Sequence, residues 1–415
     1  TAAAVAYARI VSRAGRDRLA GSVAQVRVDR MAAGGAAIGR LDDGGIVFVG
    51  GAIPGELVEA RIDVDKRDYA AATAVRIVEP SPDRVVPPCP EVARGCGGCD
   101  WQHLSADAQH RWKREVVADA LRRTARMPDA TVTWGGAVAP WGYRTTMRVA
   151  GAADGTAGLR AAQRNDVVAL AACAVADPTL DEVRRGVRVP PGDEVSIRIA
   201  ARGGATALFH GRPGAVPPGV ATGADACLTE FVASAALRVS AGSFFQSGPA
   251  AAALLVATVG GLLERRSSGR DRDGVLLDAY GGVGLFAAAL GWETSVVVEG
   301  SPSACADARH NLGDRAVVDN TAFEDWDPAP WTGRARVAVA DPSRAGLGRG
   351  GADVLIRLSP SVLALVSCDP VAMARDVRLL VDGGFTHVES VAIDLFPQTH
   401  HVEVVTLLDG PSAEA

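Results

Sequence analysis

From Val275 onward one pattern repeats: a short apolar run stops at a residue that can do chemistry. Val275 to Leu277 runs into Asp278, Ser295 to Val298 ends at Glu299, Val337 to Ala340 delivers Asp341, and Ala364 to Val366 leads through Ser367 to Cys368. Such runs, alternating with helical stretches, predict an open parallel sheet whose carboxyl edge is the place for a ligand. Asp369 reads as an N-cap and Pro370 as the first residue of a helix through Met373 and Val377. Cys368 is therefore expected beside a helix N-terminus, whose partial positive charge favours thiolate, the form that attacks carbon. A lone cysteine is more often a buried structural thiol. Here Asp341 and Arg344, from Asp341-Pro342-Ser343-Arg344, are brought to the same edge and border it.

Two neighbouring stretches add to that edge. Asp278-Ala279-Tyr280-Gly281-Gly282-Val283-Gly284 is a glycine turn opening a helix, where a ligand can approach the backbone closely. Glu299, 21 positions after Asp278, can accept hydrogen bonds from ribose hydroxyls. Gly282-x-Gly284-x-x-Ala287 fits a loose dinucleotide pattern and by itself leaves nicotinamide and S-adenosylmethionine unresolved. Further on, Phe396-Pro397-Gln398-Thr399-His400-His401-Val402-Glu403 puts an acid into an apolar strand. A charge there is costly unless it is used or paired. A satisfied acid on a strand edge is the structural alternative.

The upstream half is built differently. Val23–Val28, Ala36–Leu41, Ile46–Val49, Leu57–Val64 and Tyr69–Ile77 are five short strand-like runs with Gly- and Asp-rich turns, predicting a small OB-like barrel. A proline-rich linker then reaches Cys89, Cys96, Gly97, Gly98 and Cys99; Cys-x6-Cys-Gly-Gly-Cys is a metal signal, because the glycines let thiolates converge. Cys173 is the best candidate for a fourth ligand, and zinc suits four thiolates as well as iron does. Seven cysteines without a secretory signal point to reduced thiols. Gln109 to Arg126 reads as an amphipathic helix with Arg111, Arg114, Arg122 and Arg123 off its apolar stripe, and Trp141 to Leu208 as an antiparallel β region.

Composition limits the partners. The net charge of -5 excludes a wholly basic nucleic-acid binder, so such binding must be local. Eight Lys/Arg face four Asp/Glu between Trp101 and Arg148, and since Lys66 and Lys113 are the lysines, phosphate contacts fall to arginine. The longest apolar stretch, Ala250 to Leu263, is too short to span a bilayer, and Thr1 to Ala20 reads as a floppy leader.

In order and spacing these pieces resemble the S-adenosylmethionine-dependent RNA uracil-5-methyltransferases, especially the iron-sulfur branch acting on large-subunit ribosomal RNA. The resemblance covers nearly everything after Arg18. Val47-Phe48-Val49 and Ile53-Pro54-Gly55-Glu56 look like parts of a TRAM domain. Cys89, Cys96, Cys99 and Cys173 fall where the family binds a [4Fe-4S] cluster, with six residues between the first two cysteines where the family usually has five. Phe244-Phe245-Gln246 resembles the motif whose glutamine holds the methionine end of S-adenosylmethionine. Tyr280, Gly282, Glu299, Asn320 and Asp341 match further cofactor positions; Leu285 stands where some relatives have a cofactor-binding Asn, so that contact is not carried over. Ser367-Cys368-Asp369-Pro370 resembles Ser-Cys-Asn-Pro and implies Cys368 as nucleophile; Glu403 matches the proton acceptor, and Asp341 an acid orienting base or cofactor.

The resemblance implies a leader over 1–18, a TRAM barrel over 19–80, a central β-rich domain with the cluster cysteines over 81–235, and a doubly wound, Rossmann-like methyltransferase domain over 236–412. Helix 109–126 is placed to pack on that last domain. The implied protein is a cytoplasmic monomer off the membrane that methylates carbon 5 of a uridine, in ribosomal RNA by preference or in the T-loop of transfer RNA. A different class is a non-catalytic RNA-binding iron-sulfur scaffold, against which Cys368 and Glu403 speak. A nicotinamide dehydrogenase fits poorly, since hydride transfer has no need of that cysteine-glutamate pair.

Overall fold

Alternation of apolar and polar residues between Val23 and Glu79 closes a five-stranded barrel. Its strands are β1 (Val23–Met31), β2 (Ala37–Arg40), β3 (Ile46–Gly50), β4 (Leu57–Asp65) and β5 (Ala70–Glu79), in the order β1-β2-β3-β5-β4. Every run expected from the sequence is one of these strands. Val26, Val28, Val47, Val49, Val58 and Ile62 fill the interior, and Trp101 and Leu104 join the same apolar cluster. The Ile53-Pro54-Gly55-Glu56 turn is held by its own acid: fully buried Glu56 accepts from the Ile53 amide at 3.0 Å and pairs with the Arg84 guanidinium. Burial would lift that carboxyl, but Arg84 and the backbone amides outweigh it and hold it below the usual range.

These are features of a computed structural model that describes residues 19–162, 164–200, 202–267 and 273–411. The leader of residues 1–18 lies outside the described residues. Two compact units share the chain: residues 19–88, Cys99–Val116 and Gln398–His400 form the first, and Cys89–Gly98, Val117–Pro397 and residues 401–411 the second. Past the barrel come α1 (Pro90–Ala93) and α2 (Ala106–Ala120). In the first unit Ala108 and Val116 of α2 join the barrel's cluster; in the second, Val117 and Ala120 join the core of the large sheet. A π-helical turn, Leu121–Ala125, then ends at Arg126 in the left-handed region (φ 59°). The stop is thus one residue before the Met127-Pro128 pair that marks it in the sequence.

In the second unit, β6 (Val132–Ala137) is followed by β7 (Thr146–Gly151), β8 (Ala157–Arg160), β9 (Val167–Val168), α3 (Pro178–Gly186), β10 (Glu194–Ile199), β11 (Ala205–His210) and β12 (Val220–Thr222). β7 to β12 make a six-stranded sheet, antiparallel as expected except where β12 runs parallel to β11. The hairpin of β13 (Cys227–Val232) and β14 (Ala235–Ser240) leads to α4 (Pro249–Arg266), which contains the long apolar stretch. Among the described residues no helix is long and apolar enough to cross a membrane.

The remainder alternates: β15 (Leu276–Ala279), α5 (Leu285–Ala289), β16 (Ser295–Glu299), α6 (Pro302–Leu312), β17 (Ala316–Asn320), β18 (Val337–Ala340), α7 (Gly348–Leu358), β19 (Val362–Ser367), α8 (Pro370–Asp382), β20 (Thr386–Asp394) and β21 (Glu403–Asp409). The eight-stranded sheet runs β17-β16-β15-β18-β19-β21-β20-β6. Strands β15 to β19 are parallel, as the unbroken apolar runs require, and β21 runs antiparallel between β19 and β20. Strand order reverses between β15 and β18, which opens a crevice beyond their carboxyl ends. Strand β6 supplies the far edge, parallel to β20.

Gly39 carries a stability prediction for the barrel. A Cβ there would stand 2.5 Å from Val26 Cγ1 and 2.6 Å from the Arg27 carbonyl oxygen. Gly39→Ala is expected to destabilise the barrel by about 1–3 kcal/mol, read as faster amide exchange in β1 and β2 with the large sheet unaffected. Unchanged exchange would show that the barrel absorbs the methyl.

Candidate functional site

The carboxyl edge of the large sheet collects the candidate residues in strand order. Asn320 ends β17, Glu299 ends β16, Tyr280 follows β15, Asp341 follows β18, and Cys368 follows β19. Because β21 is antiparallel, its first residue, Glu403, comes to that same edge, with Val404 paired to Ser367 of β19. Adjacent strands lie about 5 Å apart, so Asp341, Cys368 and Glu403 are neighbours along one rim.

The glycine turn after β15 is tightly specified. Tyr280 takes φ 58°, rare for a side chain of its size. Its ring lies 5.0 Å from that of Phe323, and its hydroxyl donates to Glu324 Oε1 at 2.8 Å. A Cβ at Gly281 would meet Val297 Cγ1 at 2.7 Å and the Asp278 carbonyl oxygen at 2.9 Å, so only glycine passes there. Gly282 has φ 56° and open space where a side chain would be. Its amide donates to Glu299 Oε2 at 3.0 Å, while the Ser301 amide donates to Oε1 at 2.6 Å. Two backbone donors fix the Glu299 carboxylate and still leave lone pairs for further donors. Asn320 Nδ2 donates to the Glu299 and Gly300 carbonyl oxygens at 3.0 and 3.1 Å, holding the ends of β16 and β17 together.

A cavity opens in front of this turn, lined by Phe244, Gln246, Tyr280, Gly282, Leu285 and Asp341 among others. Gln246 is 7% exposed and its Nε2 donates to Asp341 Oδ2 at 3.5 Å. Phe245 beside it is buried, whereas Phe244 is 72% exposed. Backbone without side chains at Gly281 and Gly282, a ribose-competent carboxylate and an amide at the far end suit S-adenosylmethionine. Asp278 was a landmark only in the sequence; it is fully buried beneath the turn, accepting from the Ala287 amide at 3.0 Å, and burial lifts its carboxyl to about 8.

On the other side of Asp341 the charges converge. Glu403 is 4% exposed, and burial, with Asp341 nearby, holds its carboxyl well above the usual range; Arg344 pulls the other way. Burial lifts Asp341 to about 7. Cys368 is pushed up to about 11 by burial first and then by Glu403 and Asp341, against the pull of Arg344. This reverses the expectation of a thiolate favoured by the helix N-terminus. The N-cap expectation holds, and it explains part of the reversal: the Asp369 side chain accepts from the Val371 and Ala372 amides at 2.9 and 2.8 Å, so the first amides of α8 are already taken. Arg344 is itself placed by His401, whose Nε2 is 3.1 Å from the guanidinium. The loop from Asp341 is fastened at its far end by fully buried Asp376 of α8, which accepts from the Leu347 amide at 2.7 Å. His401 stands in the stretch that leads to Glu403, but its contact with Arg344 and the role of Asp376 are not visible in the sequence.

The cysteines expected to bind metal divide between the units. Cys89, Cys96 and Cys173 lie in the second and Cys99 in the first. All four are free thiols. Gly98 donates its amide to Cys96 Sγ at 3.5 Å, and the thiols of Cys96 and Cys173 are pushed up by burial, Cys96 also by Cys89 and Cys173 also by Cys96. Glu91 Oε1 accepts from the Ala171 amide at 2.9 Å and so ties the two cysteine-bearing segments of that unit. Among the described residues no group of three or more His, Cys, Asp or Glu side chains is assembled as a metal site.

With this geometry in place, similarity to known proteins becomes informative. Residues 17–75 match the TRAM domain. An uncharacterized RNA methyltransferase of Streptomyces avermitilis is 36% identical over 94% of this chain and 98% of its own length. The 23S rRNA (uracil(1939)-C(5))-methyltransferase RlmD of Shewanella amazonensis is 30% identical over 92% of this chain and 94% of its own. The crystal structure of the Pyrococcus abyssi tRNA (uracil-54, C5)-methyltransferase with S-adenosyl-L-homocysteine superposes with a TM-score of 0.68 at 23% identity, over 92% of this chain and all of the other. That last likeness confirms the fold: a small barrel followed by a Rossmann-like methyltransferase sheet.

The electrostatics predict a slow thiol. Iodoacetamide should label Cys368 slowly at pH 7, its rate rising about tenfold per pH unit toward pH 10 as thiolate forms. Arg344→Met removes the charge that pulls this thiol down, so labelling should slow further at each pH. Peptide mass spectrometry resolves Cys368 from the exposed Cys227. Fast labelling at neutral pH would contradict the burial argument.

Proposed function

The chain belongs to the RNA methyltransferase family with an N-terminal TRAM domain, and from that premise we propose that it methylates carbon 5 of a uridine through a covalent bond to Cys368. The observation that carries this reading is the rim itself: a cysteine beside the buried Glu403 carboxyl, Asp341 and an arginine, next to a glycine-turn cavity suited to S-adenosylmethionine.

Carbon 5 of uracil is too weak a nucleophile to accept a methyl group unaided. Cys368, as thiolate, adds to carbon 6, and the electron pair moves through carbon 5 to the carbonyl at carbon 4, giving an enolate. Arg344 supplies the positive charge that stabilises both thiolate and enolate. S-adenosylmethionine, when bound, supplies the methyl group that carbon 5 takes up. Glu403, as carboxylate, then removes the proton still on carbon 5, and the carbon–sulfur bond breaks to return Cys368 as thiolate. Gln246, Tyr280, Gly282, Glu299 and Asn320 hold the cofactor end of the rim, Asp341 standing between cofactor and base. High resting values for Cys368 and Glu403 mean that both ionise more fully as pH rises, so kcat/KM should climb between pH 6 and 9.

A uridine within reach of a recessed cysteine must be unstacked, which favours a loop or single-stranded segment as substrate. Similarity to RlmD supports large-subunit ribosomal RNA. For Cys89, Cys96, Cys99 and Cys173 we propose a structural [4Fe-4S] cluster, supported by four free thiols in the Cys-x6-Cys-Gly-Gly-Cys pattern plus Cys173 and by the amide hydrogen bond to Cys96 Sγ. No step of the reaction runs through it.

Labelled S-adenosylmethionine and RNA from a strain lacking the gene test the reaction. Label should appear as 5-methyluridine in large ribosomal RNA; label in transfer RNA would keep the mechanism and change the substrate, and another labelled nucleoside would end the uracil reading. Cys368→Ala should lower the rate about 10⁴-fold or more with cofactor affinity nearly intact. Glu403→Gln should accumulate a denaturation-resistant protein–RNA adduct, because the carbon 5 proton stays in place. Anaerobically purified protein should carry about four irons per chain; a colourless, zinc-loaded protein would remove the cluster.

A further inference from the structure

The turn that presents Gln246 is gripped from two sides by buried charges. Asp307, on α6, is fully buried, and its carboxylate accepts from the Ser240 amide at 2.7 Å, the Ser240 hydroxyl at 2.8 Å and the Ser243 hydroxyl at 2.7 Å. Arg238 Nε lies 3.2 Å from the same carboxylate. Arg198, on β10 of the six-stranded sheet, is 7% exposed and donates to the Ser240 carbonyl at 3.2 Å and the Ser243 carbonyl at 3.0 Å. Asp307 thus takes the donors of this turn and Arg198 its acceptors. Ser243 is also 2.9 Å from the Ser303 hydroxyl of α6. Beyond Gln246 the chain is tied again: the Thr145 amide donates to the Ser247 carbonyl at 2.9 Å, and the Ser247 hydroxyl donates to the Leu395 carbonyl at 3.3 Å.

A buried aspartate and a buried arginine are expensive to keep out of water. Packing alone does not call for them at this turn, since apolar groups of like volume fill space at less cost. What they add is direction: five hydrogen bonds aimed at two residues fix the path of the chain three residues before Gln246. The amide at the end of that path faces Asp341. Each anchor comes from a different layer, β10 of the six-stranded sheet and α6 of the methyltransferase sheet.

We propose that Asp307 and Arg198 are positioning residues that set the Gln246 side chain for the methionine end of S-adenosylmethionine. The proposal rests on the reading of Gln246 as a cofactor contact. It assigns a cofactor-affinity role to two residues that act on Gln246 through Ser240 and Ser243.

Four variants separate the possibilities: Gln246→Ala, Ser243→Ala, Asp307→Asn and Arg198→Met. S-adenosylhomocysteine binding by calorimetry, KM for S-adenosylmethionine, kcat at saturating cofactor and RNA affinity are measured for each. Ser243→Ala, which deletes one hydroxyl and leaves both charges paired, should weaken S-adenosylhomocysteine about 5- to 20-fold and raise KM by a similar factor. RNA affinity and kcat at saturation should stay near wild type. Asp307→Asn should do the same more strongly; should it or Arg198→Met fail to fold, Ser243→Ala still decides. Hydrogen exchange over residues 240–247 should quicken in Ser243→Ala and slow again when S-adenosylhomocysteine is added. Cofactor binding at wild-type strength in Ser243→Ala, while Gln246→Ala binds weakly, overturns the positioning role. Wild-type binding in Gln246→Ala instead overturns the cofactor reading of Gln246, and the proposal with it.

Discussion

Burying carboxyl groups along one edge of the large sheet is the constraint on which the rest of this structure depends. A carboxylate withdrawn from water without a full complement of donors prefers its proton, and Asp278, Asp341 and Glu403 are all pushed upward for that reason. They remain withdrawn because the strands that hold or border them, β15, β18 and β21, are buried on both faces and carry the rim into the interior of the second unit. The same burial lifts Cys368. Burial at this edge favours the protonated forms, and Arg344 is an opposing charge that acts on both Cys368 and Glu403.

Strand order converts that constraint into a division of labour. Along the rim the residues run Asn320, Glu299, Tyr280, Asp341, Cys368, Glu403, following β17-β16-β15-β18-β19-β21. Groups suited to hold a nucleoside occupy one half, groups suited to covalent and proton chemistry the other, and Asp341 stands at the reversal of strand order between them. Antiparallel β21 matters to this division: a parallel strand in its place would present its carboxyl end, and Glu403, its first residue, would fall at the opposite edge of the sheet.

Much of this was legible in the sequence because apolar runs and turn residues are local signals. The barrel strands, the glycine turn, β18, β19 and the Asp369 cap follow from hydrophobic period and capping chemistry. What stayed hidden depends on pairing between distant segments. Strand β6, only six residues with a half-exposed pattern, becomes the edge of the large sheet because β20 pairs with it. The protonation of Cys368 was misread because a helix N-terminus next to a thiol is visible in sequence, whereas the burial and the two carboxyls that outweigh it are assembled from β18 and β21. Asp307 and Arg198 carry no signal in the sequence; the turn that both of them bind is what joins them.

The cysteines make the same point about what spacing can and cannot carry. Cys-x6-Cys-Gly-Gly-Cys states that three thiols are close in sequence, but their use depends on the path of the chain around them. Gly97 shows how tightly that path is specified: a Cβ there would stand 2.9 Å from the Ala162 backbone, and its amide donates to the Arg160 carbonyl at 3.0 Å. Glu91, two residues after Cys89, spends its carboxylate on the Ala171 amide and Arg94, so the segment bearing Cys173 is tied to the one bearing Cys96 by a carboxylate. In the second unit Cys96 thus feels the charge of Cys89, and Cys173 that of Cys96. The Glu91 and Gly97 bonds, more than the count of residues between the cysteines, set the path of the chain around Cys96.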